Sequence, residues 1–230
     1  DYLFKVKGIG IITGNPGLGK TTNLRNYINN LNKSLYKVVY LSMTTLTDIE
    51  FYKQAIIQFG YEPKHRKHDN YNQLQEIIKE YNNKKITPVI VIDEANYLSN
   101  KILNDLKMIF NFEMDSIDNY ILILSGLPVL ISNLSSAIHE PLRQRIITSF
   151  NFENLSKDEV QSYIYGKIEK AGGANNIFDS GVIQAIANYS NGTPRIIDRI
   201  MDYAILIADK LNSSIITINI IQKAIEQVSI

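Results

Sequence analysis

The residues that could do chemistry in this chain are concentrated in two short stretches, of which the first is a glycine-bearing loop. Residues 14–21 read Gly-Asn-Pro-Gly-Leu-Gly-Lys-Thr, which matches the pattern G-x-x-x-x-G-K-[ST] in full. Glycines let main-chain N–H groups turn towards an anion because no Cβ blocks the approach. Lys20 would reach the β- and γ-phosphates of a nucleotide, and the Thr21 hydroxyl would ligate Mg²⁺. The predicted nucleotide contacts are Asn15, Pro16, Gly17, Leu18, Gly19, Lys20, Thr21 and Thr22.

The second stretch is a pair of carboxylates that follows an apolar run. Val-Ile-Val-Ile at 89–92 leads directly into Asp93 and Glu94. In a parallel sheet, the carboxyl end of such a strand lies beside the phosphate loop. We expect Asp93 to hold Mg²⁺ through its water shell, and Glu94 to orient and deprotonate the attacking water. The alternative is a turn that carries two solvated carboxylates.

Three arginines are candidates for neutralising the charge that develops on a transferred phosphoryl group. Arg143 and Arg145 precede the last apolar run of the first part of the chain, and Arg195 ends the stretch Gly-Thr-Pro-Arg at 192–195. A positioned arginine is worth about 10³–10⁵ in rate in phosphoryl-transfer enzymes. Arg195 would act in cis and report the nucleotide state, whereas Arg143 or Arg145 would act in trans on a neighbouring copy. Ion pairing at the surface or at an interface is the alternative for all three.

Alternating strand and helix patterns predict the scaffold that positions these residues. Runs rich in Ile, Val and Leu predict five parallel strands, at 10–13, 38–42, 89–93, 120–125 and 146–152. Helical patterns lie near 19–32, 48–60, 70–83, 99–112 and 128–138. Strands that alternate with helices indicate an α/β fold with a doubly wound parallel five-stranded sheet.

The strand pattern stops after Phe152. Ser-Lys-Asp-Glu at 156–159 is a capping box that begins a helix. Further helical patterns cover 179–190, 194–211 and 217–228. We therefore expect two domains, an αβα core at 1–152 and a small all-helical domain at 153–230.

Composition limits the class of protein. The chain has 230 residues, of which 45% are apolar, and a net charge of +1, which suits one core with a small appended domain. The sequence contains no cysteine and three histidines, so disulfides and thiolate metal sites are excluded and a zinc site is not credible. No apolar run approaches the ~20 residues of a membrane span, and no signal peptide is visible. We expect a cytoplasmic protein without membrane contact.

The sequence resembles an AAA+ ATPase of the clade that contains the type II secretion accessory ATPase and the ATPases that assist DNA transposition. The resemblance covers nearly the whole chain and rests on four stretches, 13–22, 91–95, 142–146 and 192–197. The last two are the more specific. The resemblance implies a P-loop αβα core, a helical lid, ATP-dependent oligomers, and a protein or DNA as the object of the work. Arg195 matches the position called sensor 2, and Arg143 and Arg145 match the stretch thought to provide the arginine finger.

Two positions depart from the pattern of this clade. Leu127 stands in Gly-Leu-Pro where the clade usually has Gly-Gln-Pro, and leucine cannot polarise water. Ser125 is the nearest polar substitute, so we expect it to take part in catalysis. Asn96 stands where glutamine is common. Both changes predict slow hydrolysis with ATP binding retained, which suits a switch better than a motor.

Of the branches of the clade, the transposon-encoded type fits the sequence better. The secretion members carry a membrane span and a peptidoglycan-binding region beyond the ATPase, whereas this chain ends soon after the expected lid, at Ile230. A transposition helper would assemble with ATP as a ring or filament on double-stranded target DNA, and would recruit or stimulate a transposase. A secretion-type accessory ATPase and an ATP-dependent protein-interaction switch are the alternatives.

Contacts with DNA phosphates would come from the basic part of the core. Residues 20–67 contain eight basic and three acidic residues. We expect a cationic loop at 64–68, with DNA contacts at Lys53, Lys64, Arg66 and Lys67. A solvated loop is the alternative. No recognition-helix or zinc motif is present, which predicts binding without strong sequence preference.

Overall fold

The chain divides into two compact units. A computed structural model describes residues 2–42, 47–109, 120–173 and 177–228. The first unit contains Asp1–Asn15 and Lys20–Phe152, and the second contains Pro16–Gly19 and Glu153–Ile230. The tip of the glycine-bearing loop thus groups with the second unit.

The first unit is built on a five-stranded sheet in which every pair of neighbours is parallel. The strands are β1 (Gly8–Gly14), β2 (Tyr36–Ser42), β3 (Thr87–Asp93), β4 (Ile121–Gly126) and β5 (Ile146–Phe152). This confirms the predicted five-stranded parallel sheet. The strand order is β2-β3-β4-β1-β5, so the carboxyl ends of β3, β4 and β1 lie side by side. The residues that follow these ends are therefore brought together.

Helices precede and connect the strands of the first unit. They are α1 (Tyr2–Val6), α2 (Lys20–Asn29), α3 (Asp48–Phe59), α4 (Lys67–Asn83), α5 (Asn100–Ile109), α6 (Val129–Leu134) and α7 (Glu140–Arg143). Short 3₁₀ turns occupy Ala95–Tyr97 and Ala137–His139.

Four of these helices differ from the sequence prediction. α1 and α7 are additional short helices. The single helix expected at 128–138 is wrong, because α6 ends at Leu134 and a separate 3₁₀ turn follows. α4 begins at Lys67 rather than at residue 70, which removes the second half of the expected loop at 64–68. Of the helix predicted at 99–112, residues 110–112 lie outside the described residues.

Both faces of the sheet are buried, as the apolar strands predict. On one face, side chains such as Val39, Ile90 and Leu122 pack into a large cluster that includes residues of α3, α4 and α5. On the other face, alternate residues such as Val91 and Ile123 pack with residues of α1 and α2. This second face also carries the polar groups at the carboxyl end of the sheet, because side chains alternate along each strand.

The described residues of the second unit contain four α-helices and one isolated parallel bridge, Phe178 to Ile216. The helices are α8 (Lys157–Lys170), α9 (Val182–Ser190), α10 (Pro194–Lys210) and α11 (Ile218–Val228). The predicted capping box is present at the start of α8, where Ser156 and Glu159 exchange hydrogen bonds. The apolar faces of the four helices share one buried cluster, so this unit has a core of its own.

The turn between α9 and α10 requires glycine. Gly192 has φ +69°, and a Cβ there would lie 2.0 Å from the carbonyl oxygen of Leu155. This close approach allows the Leu155 N–H to donate to the Gly192 carbonyl at 2.9 Å. The contact fixes where α10 begins and hence where Arg195 lies in this unit.

We predict that Gly192→Ala destabilises the protein by about 3 kcal/mol or more, since left-handed backbone strain adds to the clash with Leu155. Gly166→Ala is the matched control. Gly166 lies in α8, where a Cβ would meet no atom within 4 Å, so alanine should stabilise by about 0.5–1 kcal/mol. Urea unfolding followed by circular dichroism measures both changes. Equal stability of Gly192→Ala and the wild type would contradict the steric argument.

Candidate nucleotide and metal site

The glycine-bearing loop joins β1 to α2 and has the backbone of an anion-binding turn. Gly17 has φ +83° and Gly19 has φ +86°, a conformation that residues with a Cβ rarely adopt. Successive main-chain N–H groups in such a turn form a concave site for an anion. α2 begins directly after it, at Lys20, and contributes the partial positive charge of a helix N-terminus.

Lys20 is anchored at the start of this loop. Its side chain is buried, with 8% exposure, and its ammonium group donates to the carbonyl oxygens of Gly14 at 2.7 Å and Asn15 at 3.0 Å. An ammonium group has three donors and no acceptor. These contacts hold a positive charge beside the loop, which is where a phosphate would need it.

Asp93 is the most heavily bonded side chain of the site. Its Oδ2 accepts hydrogen bonds from the hydroxyls of Thr21 at 2.6 Å and Tyr40 at 2.5 Å. Its Oδ1 accepts from the hydroxyl of Ser125 at 2.9 Å and from the backbone N–H of Glu94 at 3.0 Å. All four donors are electrically neutral. They orient the carboxylate without neutralising its charge.

The Asp93 carboxylate is ionised although only 3% of the residue is exposed. Burial by itself would raise the pKa of Asp93. The four hydrogen bonds outweigh burial and hold the pKa below its ordinary value of 3.8. The site therefore presents a buried, fixed negative charge at neutral pH.

Glu94 follows Asp93 in a left-handed backbone conformation, with φ +57° and ψ +36°. Such a conformation is uncommon for a residue with a side chain, and strained residues of this kind cluster at functional sites. The next turn is fixed by Asn96, whose Oδ1 accepts the N–H of Leu127 at 2.9 Å. This bond ties the end of β3 to the end of β4.

Ser125 was expected to replace a missing water-polarising glutamine. Its side chain is fully buried at the end of β4 and its hydroxyl donates to Asp93. In this arrangement Ser125 orients the carboxylate of Asp93.

The two arginines before β5 contact the backbone of their own chain. The guanidinium of Arg143 donates to the carbonyl oxygens of Leu134 at 3.2 Å and Ser135 at 3.0 Å, at the end of α6. That of Arg145 donates to the carbonyl oxygen of Lys107 at 3.0 Å. Their role as fingers stays a prediction.

Arg195 lies in the first turn of α10, in the second unit, with an exposed side chain. Its backbone N–H donates to the carbonyl oxygen of Gly17 at 3.2 Å. A Cβ on Gly17 would lie 3.0 Å from the Cβ of Arg195, which is a tight contact, and the positive φ of Gly17 disfavours a side chain there in any case.

The four residues expected to contact DNA are in different environments. Lys53 is half-buried within α3, whereas Lys64 and Arg66 are exposed. Lys67 forms ion pairs with Asp105 at 2.6 Å and with Asp48 at 3.8 Å, so it links helices α3, α4 and α5. The structure thus gives Lys67 an internal role that the sequence did not indicate.

The exposed cations at 64–66 are carried by a pinned loop. Asn70 is fully buried in the first turns of α4. Its side chain accepts the N–H of Lys64 at 2.7 Å and donates to the carbonyl oxygens of Lys64 at 2.8 Å and Arg66 at 3.0 Å. These bonds hold the backbone of the loop while its cationic side chains face solvent.

A family model described as an AAA domain matches residues 5–134, which is more than half of the chain and includes the loop and both carboxylates. The chain belongs to this AAA family. The fold and the two motifs of the site are therefore those of an AAA P-loop nucleoside triphosphatase.

Three known proteins show how far the similarity extends. The chain is 27% identical over 205 residues to general secretion pathway protein A of Aeromonas hydrophila, covering 87% of this chain and 37% of that protein. The ORC2 protein of Aeropyrum pernix, solved as ADPNP-ADP complexes, superposes with a TM-score of 0.75 at 14% identity, over 97% of this chain and 64% of that one. Drosophila ORC bound to DNA gives a TM-score of 0.69 at 19% identity, over 96% and 55%. The chain spans less than two thirds of each, and the two structures share its fold.

The residues of this AAA site fit a Mg²⁺ ion with a nucleotide phosphate. Thr21 and Asp93 offer a hydroxyl and an ionised carboxylate 2.6 Å apart, and Mg²⁺ prefers oxygen ligands with phosphates and water completing its shell. Across the described part of the chain, no three His, Asp or Glu residues gather into a metal-binding group. Among the described residues, no helix is long and apolar enough to cross a membrane.

Sequence reasoning missed one member of the site, Tyr40. The available signal was its place near the end of β2, on the sheet face that also carries Asp93. An isolated tyrosine in an apolar strand has no motif, so only the strand register reveals its contact.

We predict that Ser125→Ala raises the pKa of the Asp93 carboxyl, because a buried carboxylate loses a donor that favours its charged form. Side-chain carbon NMR of Asp93 across a pH titration measures the shift. Ser132→Ala, an exposed site in α6, is the control and should leave the titration unchanged. An unaltered Asp93 titration in Ser125→Ala would contradict the hydrogen-bond assignment.

The sign of the effect on stability follows from the same bonds. The folded-state pKa of Asp93 lies below its ordinary value of 3.8, so ionised Asp93 stabilises the fold above that pH. The contribution is lost as the pH falls through the lowered native pKa. Ser125→Ala should therefore lose part of this stabilisation at neutral pH.

Proposed function

We propose that this AAA-family chain binds ATP with Mg²⁺ and hydrolyses it slowly. The observation that carries the proposal is the buried, ionised carboxylate of Asp93, hydrogen-bonded to Thr21 at the start of α2. The four groups that hydrogen-bond to this anion are all neutral, and a divalent cation bound beside it would supply the opposite charge. The glycine-bearing loop beside it supplies the amides that a triphosphate needs.

The residues of the chain divide the work between binding and catalysis. Residues 15–22 bind the phosphates. Lys20 contributes a positive charge to this binding, and the hydroxyl of Thr21 is a metal ligand. Asp93 holds the Mg²⁺ shell, and the ion when bound neutralises charge that develops on the phosphates. Glu94 orients the attacking water and accepts its proton. The left-handed backbone of Glu94 ends the extended path of β3 at this residue.

Slow turnover follows from the residues around the attacking water. Leu127 cannot hydrogen-bond to it, and the hydroxyl of Ser125 is directed at Asp93. We propose that Arg195 acts as the cis sensor of the lid, and that Arg143 or Arg145 completes a neighbour's site. Either of these two would first have to release its backbone carbonyl partners. Hydrolysis would then depend on assembly into a ring or filament.

We predict that Glu94→Gln binds ATP normally and fails to hydrolyse it, because glutamine keeps the shape of the side chain and cannot accept a proton. Nucleotide titration and phosphate release measure the two steps. Lys20→Ala is the companion variant and should lose ATP binding. Normal phosphate release by Glu94→Gln would remove Glu94 as the base, and retained affinity in Lys20→Ala would count against the loop as the phosphate site.

We further propose that the protein assists DNA transposition by assembling with ATP on double-stranded DNA and engaging a transposase. Two observations support a DNA partner. The pinned loop presents the exposed cations Lys64 and Arg66 to solvent. A structural neighbour of the same fold was solved as Drosophila ORC bound to DNA. Lys53 is a weaker candidate because it is half-buried, and the ion pairs of Lys67 argue against a phosphate contact there.

We predict that replacing Lys64 and Arg66 together with alanine weakens ATP-dependent binding to duplex DNA and lowers its salt slope by about two units, since each lost phosphate contact removes about one. Fluorescence anisotropy with ATP and with ADP, across a salt series, measures this. Replacing Lys157 and Lys170 together, which removes the same charge from the second unit, is the control. An equal loss of DNA affinity in the control, or an unchanged salt slope in the test variant, would show that the loop does not contact DNA.

A secretion-type accessory ATPase is the second candidate function. It is favoured by the similarity to general secretion pathway protein A of Aeromonas hydrophila. An ATP-dependent interaction switch is the third, favoured by Leu127. The same DNA titration separates them from the transposition role: absence of ATP-dependent DNA binding at low salt, in a protein that binds ATP, would exclude the DNA role and leave a protein partner.

A further inference from the structure

We propose that Tyr40 is a positioning residue for the metal-binding carboxylate: its hydroxyl fixes Asp93 Oδ2 towards Thr21, and thereby sets the Mg²⁺ concentration that the protein requires. The proposal rests on the proposed Mg²⁺-dependent use of ATP. It adds a residue from β2, which contributes to neither the glycine-bearing loop nor the acidic pair.

The strand register explains how Tyr40 reaches the site. In the parallel pair β2–β3, Tyr40 lies opposite Val91, and Ser42 lies opposite Asp93. Tyr40 is thus a diagonal neighbour of Asp93 on the same face of the sheet. Long aromatic side chains span this diagonal. The hydroxyl oxygen lies 2.5 Å from Oδ2 of Asp93.

The direction of this hydrogen bond is fixed. Burial, together with the hydrogen bond to Asp93 and the negative charge of Asp93, raises the pKa of Tyr40 to about 12. The phenol therefore stays protonated at any physiological pH and donates its proton to the ionised carboxylate. Its effect on Asp93 is the opposite, since the bond lowers the pKa of the carboxyl.

Tyr40 completes a set of donors that fixes the rotation of the carboxylate. Rotation of an aspartate about χ2 is broad and roughly two-fold in the absence of contacts. Here Oδ1 is held by Ser125 and the Glu94 N–H, while Oδ2 is held by Thr21 and Tyr40. Thr21 is itself a proposed metal ligand. When the Thr21 hydroxyl turns towards a metal, Tyr40 is the donor that keeps Asp93 Oδ2 in its present orientation.

The ring of Tyr40 contacts a cationic side chain of α2. The guanidinium carbon of Arg25 lies 5.8 Å from the ring centroid, within the range of a cation–π contact. Arg25 is on α2, one helical turn after Thr21. The same helix therefore carries both the proposed metal-ligating hydroxyl and the guanidinium that contacts the Tyr40 ring. The ring also packs in the apolar cluster beneath α2. A packing role and a positioning role can be separated, because only the second needs the hydroxyl.

The test is Tyr40→Phe, which keeps the ring and removes the hydroxyl. We expect the Mg²⁺ concentration for half-maximal ATP hydrolysis to rise about tenfold, the effect of losing one hydrogen bond to a charged group. ATP affinity measured in EDTA should be unchanged. The Mg²⁺ concentration that half-maximally strengthens ATP binding should rise by the same factor, and this second readout does not depend on turnover.

Tyr36→Phe is the matched control. Tyr36 is on the same strand and packs edge-on against Phe4, with ring centroids 5.4 Å apart. It should show the wild-type Mg²⁺ requirement in both measurements. Arg25→Ala is a second test variant and should raise the Mg²⁺ requirement by a smaller factor, because it loosens the ring without removing the donor.

The outcomes separate this inference from the function on which it rests. A wild-type protein that neither binds nor hydrolyses ATP with Mg²⁺ would refute the proposed function. A Tyr40→Phe protein with the wild-type Mg²⁺ requirement in both measurements would overturn only the role of Tyr40. A lowered melting temperature with this requirement unchanged would overturn it as well, since that result assigns Tyr40 to packing alone.

Discussion

The site depends on one constraint, a buried negative charge that is held by neutral hydrogen-bond donors. Removing a carboxylate from water costs several kcal/mol unless other groups replace its hydration. Around Asp93, three hydroxyls and one backbone N–H do so, and the pKa of the carboxyl falls below its ordinary value. These donors are neutral, so they stabilise the ionised form without contributing a positive charge of their own. A cation bound between Asp93 and an anionic ligand would balance the negative charge of both.

The sheet topology brings these donors together. Thr21 is 72 residues from Asp93 in sequence, Tyr40 is 53 residues away and Ser125 is 32 residues away. They meet because β1, β3 and β4 end side by side and β2 pairs with β3. A single change in strand order would separate the phosphate loop from the carboxylate. The arrangement of the site therefore depends on the buried apolar faces that hold the sheet together, as well as on the polar contacts.

Short sequence patterns are sufficient to predict the parts of the site that consist of neighbouring residues. The loop at 14–21, the Asp93–Glu94 pair and the five strands each have a signature within a few neighbouring residues. The contact of Tyr40 with Asp93 depends on register between two strands, and the ion pairs of Lys67 depend on how α3, α4 and α5 pack. No short pattern encodes either. The break after α6 was missed because its apolar residues keep a helical period into the 3₁₀ turn.

The buried charge of Asp93 is tested most directly by measuring ATP affinity with and without Mg²⁺ in the wild type and in Asp93→Asn. The account predicts that Mg²⁺ strengthens ATP binding to the wild type and has little effect on the variant, which keeps the shape of the side chain and loses its charge. The same gain from Mg²⁺ in both proteins, or none in the wild type, would contradict it.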